Sequence, residues 1–289
     1  MNNNRVIFIG LSTVDHTYLL EDFPSENTKI FSKNYLFQCG GPALNAAITN
    51  NILGGTSQLI TCFGNSSLAA QAMEFMKENF SVTIHDIIEG NNYTFPASSV
   101  MINPQSGSRT IINPPKATES LNLDYSDTRL ADSSIVLLDG HYLHPALRNK
   151  IIEARSSGVK IVMDGGSWKP DTDDYLDLID YIICSTNFKK PGFSQIETVA
   201  YLHNAGIEFV GITDNENPIL VSTLGNEEYI PVEQIEAVDT LGAGDVLHGA
   251  FCYYLSQGND GKTALGNAAR VATDSCRYFG TQFWHEDYR

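Results

Sequence analysis

Short apolar runs rich in Val, Ile and Leu alternate with longer stretches of helical spacing through most of the chain. Val6 to Leu11, Gln58 to Phe63, Ile135 to Asp139, Val159 to Met163, Tyr181 to Cys184 and Ile207 to Thr213 read as strands buried on both faces, the pattern of a parallel sheet. Between them Leu44, Ile48 and Ile52 recur at steps of four, and similar patterns in 67–79, 145–157 and 194–205 supply crossover helices. The pattern predicts an α/β fold, a doubly wound and mostly parallel sheet flanked by helices. Lys29 to Phe37 and Ser98 to Ile112 alternate polar and apolar residues without a helix beside them, which predicts a small β-sheet lid over one end of the core. Two helices close the chain, over 243–256 and 261–279, the first carrying Leu247, Phe251 and Tyr254 on one face.

Length allows one large domain, and we read residues 1–289 as a single unit with lid segments at about 15–38 and 92–113 inserted into the core. Charge narrows the partners: 18 basic against 34 acidic residues give a net charge of -16, which excludes a phosphate-tracking nucleic-acid surface and favours small molecules. No apolar run approaches the ~18 residues of a membrane span, and the VIFIGL stretch is too short for a secretory segment, so the expected compartment is cytoplasmic. Five widely spaced cysteines without a CxxC pair or a zinc spacing read as reduced, buried thiols.

The chemistry concentrates in two segments. Asp239-Thr240-Leu241-Gly242-Ala243-Gly244-Asp245 follows an extended stretch and opens an apolar helix. Small residues at a helix start let unpaired N–H groups and the positive dipole end face an anion, here with a carboxylate immediately beside them. Gly242, Ala243 and Gly244 thus form a candidate anion hole and Asp245 a candidate base. A dinucleotide fingerprint is excluded because Leu247 stands where its last glycine belongs, and a P-loop ending at Lys262 because Ser256 stands where its first glycine belongs. In the second segment, Cys39 to Ala47, Gly40 and Gly41 feed an alanine-rich helix. The glycines allow close backbone approach of a ligand and Asn45 offers donor and acceptor to a hydroxyl, although a plain strand-to-helix turn fits equally well.

These segments, in this order and separation, resemble the signatures of the ribokinase-like, or PfkB-type, carbohydrate kinases, and the resemblance runs the length of the chain. Gly10 to Asp15 is similar to that family's first strand and sugar-binding aspartate. Ser106 to Ile111 is similar to the lid motif of ketohexokinases, while Lys29, Gly40 to Pro42, Ile111 to Pro114 and Asp245 to Ala250 most resemble sulfofructose kinase. The resemblance implies ATP-dependent, Mg²⁺-requiring phosphorylation of a primary hydroxyl of a small sugar or sugar derivative, ketose-like and in one version anionic. It makes Asp245 the base and residues 242–244 the cradle of the migrating phosphoryl group. Asp15, Gly40, Gly41, Asn45 and Asn113 would hold the sugar, with Lys29, Arg109 and His141 beside them. Asp239 falls where some relatives bind a monovalent cation, and Asp164 faces the phosphates or a metal-bound water. The family's lid pairing implies a homodimer.

Departures cluster in the nucleotide half. Asn187, Thr213 and Asn267 match family positions around ATP, although a surface asparagine explains Asn267 equally well. The acid of the family's Asn-x-x-Glu element is replaced by Lys190, and the loop Thr213 to Pro218 has no glycine. These losses motivate a second reading, a catalytically weak sugar-binding or regulatory protein on the same fold. His141 and His144 lack a third ligand and read as loop histidines before a metal site. The acidic run Asp171 to Asp180 reads as a solvated helix face.

Overall fold

The computed structural model describes residues 4–88, 93–103, 105, 108–114 and 121–284. In chain order the first half runs β1 (Arg5–Ile9), β2 (Thr13–Leu19), β3 (Asn34–Gly40), α1 (Pro42–Ile52), β4 (Thr56–Thr61), α2 (Ser67–Asn79), β5 (Val82–Asp86), β6 (Ala97–Asn103) and β7 (Ser108–Ile112). The second half runs β8 (Ile135–Leu138), α3 (Pro145–Ser156), β9 (Lys160–Gly165), β10 (Tyr181–Ser185), α4 (Gln195–Asn204), β11 (Phe209–Asp214), β12 (Asn217–Thr223), β13 (Asn226–Ile230), α5 (Ala243–Ser256) and α6 (Gly261–Ser275).

Nine strands form one sheet in the order β13-β12-β11-β10-β9-β8-β1-β4-β5, parallel from β11 through β5 and closed at the other edge by the antiparallel pairs β11/β12 and β12/β13. Successive side chains of a strand serve opposite faces. Val6 and Phe8 accordingly join the core under α1, α2, α5 and α6, whereas Ile7 and Ile9 join the core under α3 and α4. Because both faces are covered, the strands carry continuous apolar runs, which is why they were legible. Helix starts are fixed locally: Ser66 accepts from the Ala69 amide, Ser194 and Glu197 form a reciprocal capping box, and Asp260 accepts from the Thr263 amide.

The four-stranded second sheet, β3-β2-β6-β7, pairs β2 and β6 in parallel and its other neighbours antiparallel. It corresponds to the expected lid, with different strand bounds. Lys29 is not on a strand: residues 21–31 are exposed, Asn27 takes a left-handed φ of 58°, and pairing starts only at Asn34. Pro24 and the polar run after it give this stretch no periodic apolar face. Asp15 belongs to β2 of the small sheet and not to the first core strand, which ends at Ile9.

Three further differences have clear causes. Strands β5 and β13 escape the pattern because they are the sheet edges and expose much of their length, and β12, next to the edge, exposes both of its ends. Helix α6 stops at Ser275 rather than 279. The acidic run is no solvated α-helix but a short 3-10 segment, Thr172–Leu178, that buries Tyr175, Leu176 and Leu178 while Asp177 pairs with Arg148 and Asp173 with Lys190. All five cysteines are buried and unpaired. Among the described residues no helix is long and apolar enough to cross a membrane.

Candidate active site

In an open parallel sheet, ligands bind where the strand order reverses, at the carboxyl ends. Here that point lies between β1 and β8, and Asp139, just past β8, stitches it together. Its carboxylate accepts from the Leu11 amide at 2.8 Å, the Ala43 amide of the first turn of α1 at 3.3 Å, and the His141 amide at 2.8 Å. His141 Nδ1 lies 3.1 Å from the same carboxylate. Burial pushes Asp139 up, but the adjacent imidazole and the N–H donors outweigh it and hold the group below its ordinary value. A methyl group on Gly10 would fall 2.0 Å from this carboxyl carbon, so only glycine fits beside it. Asp139 is thus the buried joint of the crevice, and His141 is oriented through it.

One wall comes from the small sheet. Asp15, 8% exposed, accepts from the Thr13 hydroxyl at 3.3 Å and lies opposite Ser98 in the β2–β6 register. The Ser98 hydroxyl in turn donates to Asn113 Oδ1 at 2.8 Å. Burial pushes Asp15 up to about 6 against the hydrogen bonds of Thr13 and Ser98. A side chain on Gly40 would sit 2.1 Å from the Asp15 carboxylate, and one on Gly41, at φ 98°, would sit 2.4 Å from the Leu11 carbonyl oxygen. Both glycines are thus required by tight packing against the protein's own atoms at the strand-to-helix turn into α1. Ser98 carried no motif and was missed.

The other wall is helical. Gly242, the N-cap of α5, is left-handed at φ 70° and packs against Thr281, while a side chain on Gly244 would meet nothing within 4 Å. The helix therefore opens onto free space at Gly244, as an anion hole requires, while the Ala243 amide turns back to the Thr240 carbonyl oxygen at 3.4 Å. Asp245 accepts from Asn45 Nδ2 at 2.8 Å. Burial, reinforced by the nearby Asp164 charge, raises Asp245 well above the ordinary carboxylate range, against the Asn45 bond and His248. Asn45 Oδ1 in turn accepts from Gln282 Nε2 at 3.4 Å, and the same Gln282 amide donates to the Cys39 carbonyl oxygen.

Two helices meet closely enough for this because the crossing is nearly free of side chains. A methyl on Gly249 would fall 2.3 Å from the Ala46 carbonyl oxygen. Ala46 and Ala47 supply the facing surface, buried completely. Behind Asp245, the His248 ring lies 2.7 Å from the Gly244 carbonyl oxygen, 3.1 Å from that of Ile183, and 3.6 Å from Asp164 at the end of β9. Burial raises Asp164 as well, with His248 opposing.

The nucleotide-side residues occupy neighbouring strand ends. Asn187 is exposed just past β10, Thr213 ends β11 and donates to the Cys184 carbonyl oxygen at 3.2 Å, and Asn267 is half-buried on α6. The loop without glycine is a tight hairpin between β11 and β12 in which Asn215 adopts φ 49°, so an asparagine takes the conformation that glycine supplies elsewhere. Lys190 is not a loose replacement for an acid. Its ammonium lies 2.6 Å from Asp173 and 4.3 Å and 5.1 Å from the Tyr201 and Trp168 ring centres.

Two expected substrate cations lie elsewhere. Lys29 is exposed in the connection between β2 and β3, its ammonium 5.9 Å from the Phe31 ring centre. Arg109 does reach down from the small sheet, but it lands on Thr240, donating to the hydroxyl at 2.8 Å and to the carbonyl oxygen at 3.2 Å. Ser106 and Gly107 of the lid motif lie outside the described residues.

Comparison with known proteins agrees with this geometry. The ribokinase of Haemophilus influenzae is 23% identical over 254 residues, spanning 84% of this chain and 82% of that protein. A putative ribokinase from Agrobacterium tumefaciens superposes with a TM-score of 0.83 at 20% identity, covering 98% of this chain and 95% of that one. Arabidopsis thaliana ribokinase complexed with ribose and ATP gives a TM-score of 0.71 at 20% identity, covering 97% and 94%. The model of the pfkB family carbohydrate kinases matches residues 3–287. That match covers nearly the whole chain, and the chain belongs to the pfkB family of carbohydrate kinases.

Proposed function

We propose that this kinase transfers the γ-phosphoryl group of ATP to a primary hydroxyl of a small sugar. The observation that carries the reading is Asp245, a half-buried carboxylate held by Asn45 in the first turn of α5, where the helix opens onto free space at Gly244. Asp245 accepts the hydroxyl proton as the new P–O bond forms. The first-turn amides stabilise the charge on the equatorial oxygens of the migrating group, and the β–γ oxygen leaves with ADP. Its raised pKa makes Asp245 a stronger base than a solvated carboxylate. Asp15, Gly40, Asn113 and Asn45 orient the hydroxyls of the sugar.

Asn187, Thr213 and Asn267 are the proposed ATP contacts, at the ends of β10 and β11 and on α6. Among the described residues no three His, Cys, Asp or Glu side chains group to hold a metal ion. That donor set fits Mg²⁺ carried on the phosphates of ATP, with Asp164 holding one of its waters. When bound, Mg²⁺ neutralises phosphate charge. An anionic substrate would depend on the pair Lys29 and Arg109, which a neutral ketose does not need. With Lys29 exposed in the β2–β3 connection and Arg109 on Thr240, that pair does not form, and we favour a neutral sugar. A homodimer through the small sheet is supported by the apolar side chains it leaves exposed, Tyr35 at 46%, Ile111 at 42% and Ile112 at 57%, with Phe31 at 88% in the connection leading into β3.

ATP turnover across a panel of pentoses, hexoses, ketoses and their acidic derivatives, with Asp245→Asn as control, tests the reading. Sugar-dependent ADP release abolished by the substitution is the expected result. Release independent of sugar, or unaffected by Asp245→Asn, would refute it.

A further inference from the structure

The monovalent cation that the family resemblance implies beside Asp239 does not fit the residues found there. Asp239 is 3% exposed and both of its oxygens already serve the backbone: Oδ1 accepts from the Leu241 amide at 2.8 Å and Oδ2 from the Gly280 amide at 3.0 Å. The Leu241 carbonyl oxygen accepts from the Thr281 hydroxyl at 3.3 Å. Both oxygens of Thr240 receive Arg109 Nη1. A monovalent cation needs several oxygens free to converge on it, and here they are turned toward N–H and O–H donors. A guanidinium is permanently charged, so its presence also repels a second cation from the same loop.

We propose that Arg109 stands in for that cation: the guanidinium delivered by β7 supplies the positive charge that fixes the 239–241 turn leading into the anion hole, making the enzyme independent of monovalent cations. Three connections support it. The Asp239 carboxylate is the staple between the 239–241 turn and the 276–281 loop, whose Cys276 carbonyl oxygen accepts from the amides of Val238 at 2.8 Å and Asp239 at 3.2 Å. Arg109 acts on both loops electrostatically, favouring the charged forms of Asp239 and Cys276. The next residues in the chain are Gly242 to Asp245, so a displaced turn moves the amides that hold the phosphoryl group.

The charge arrives on the small sheet rather than from solution. The turn is therefore complete only while β7 lies against the core, which couples sugar enclosure to formation of the anion hole. Arg109 is on this view a positioning residue. The inference rests on the kinase reading of the anion hole, but its melting readout does not depend on finding the sugar.

The test compares wild type and Arg109→Ala in choline chloride and in KCl at equal ionic strength, by melting temperature and by kcat and KM for ATP and sugar. Wild type should melt within about 1 °C in the two salts and change activity less than about twofold. Arg109→Ala should lose about 10- to 100-fold in kcat in choline with little change in sugar KM. Millimolar guanidinium or KCl should restore part of that loss, and KCl should raise the melting temperature of the variant specifically. A K⁺-specific rise in wild-type melting or activity overturns the proposal. So does an Arg109→Ala enzyme that is fully active in choline, or one that neither cation restores. Absence of turnover with every sugar would count against the kinase reading, while the melting comparison would still decide this one.

Discussion

Asn45 and Asp245, 200 positions apart in the chain, meet through a 2.8 Å hydrogen bond in which the amide of one helix donates to the carboxylate of another. By resemblance Asn45 serves the sugar and Asp245 proton transfer. The hydrogen bond joins the two, so on the proposed reading Asn45 tunes the base as well as lining the pocket. Asp245 must be ionised to accept a proton, and its raised pKa puts the acid limb of kcat/KM well above the ordinary carboxylate range. Asn45 favours the ionised form. Asn45→Ala should therefore move that limb to higher pH, which a pH profile of kcat/KM against wild type measures.

Asp245→Asn keeps the shape and removes the base. Turnover should fall by at least ~10², while ATP and sugar affinities by calorimetry stay within a few-fold of wild type. Near-normal turnover would remove Asp245 from its role.

Asp15 trades stability for binding. Its pKa rises from 3.8 to about 6 on burial, so the folded protein holds this proton more tightly than the unfolded chain. The associated stability is full below the unfolded value and is lost as pH rises through 6. Asp15→Asn cannot ionise and should be more stable than wild type at pH 8, by at most about 3 kcal/mol, with the advantage vanishing near pH 4. Sugar affinity should fall about 10- to 100-fold in the same variant. Denaturant titrations at the two pH values and a sugar-induced melting shift read the two effects separately.

The α1/α5 crossing admits no side chain at Gly249, where a methyl would meet the Ala46 carbonyl oxygen at 2.3 Å. Gly249→Ala should cost about 1–3 kcal/mol of stability and lower kcat by parting Asn45 from Asp245. Chemical denaturation together with kcat on the folded fraction tests it, and an unchanged kcat would show that the crossing does not set the base.

Light scattering at micromolar concentration should give the mass of a dimer, and Ile112→Asp, which charges the exposed apolar surface of the small sheet, should give a monomer. A monomeric wild type would end the dimer proposal.

Much of the core was legible because burial on both faces writes continuous apolar runs into β1, β8, β9 and β10, and because α5 begins with its own chemistry in Gly242 to Asp245. The edge strands β5 and β13 carry no such runs. In the site, local motifs pointed to Asp15, Asn45 and Asp245 but not to their partners. Ser98 reaches Asp15 only through strand pairing, and Gln282 reaches Asn45 from near the other end of the chain. Lys29 is assigned to the sugar by the family resemblance, and the polar alternation around it predicts a strand where the structure has an exposed connection with a turn at Asn27. Arg109 was rightly read as descending from the small sheet. Its landing on Thr240 depends on a contact across 131 positions that no local pattern encodes.

The small sheet carries Asp15, Ser98 and Gly40, and Asn113 follows its last strand, whereas the base and the phosphoryl-binding amides stand on α5 against the large sheet. On the proposed reading most of recognition and the reaction stand on separate pieces of scaffold, joined at the strand-to-helix junction at Gly40 and Gly41 and again where Arg109 meets Thr240. The sugar-facing residues of the small sheet, Arg109 excepted, can drift toward a different sugar without altering the groups that move phosphorus. Substrate range in this architecture is a replaceable part.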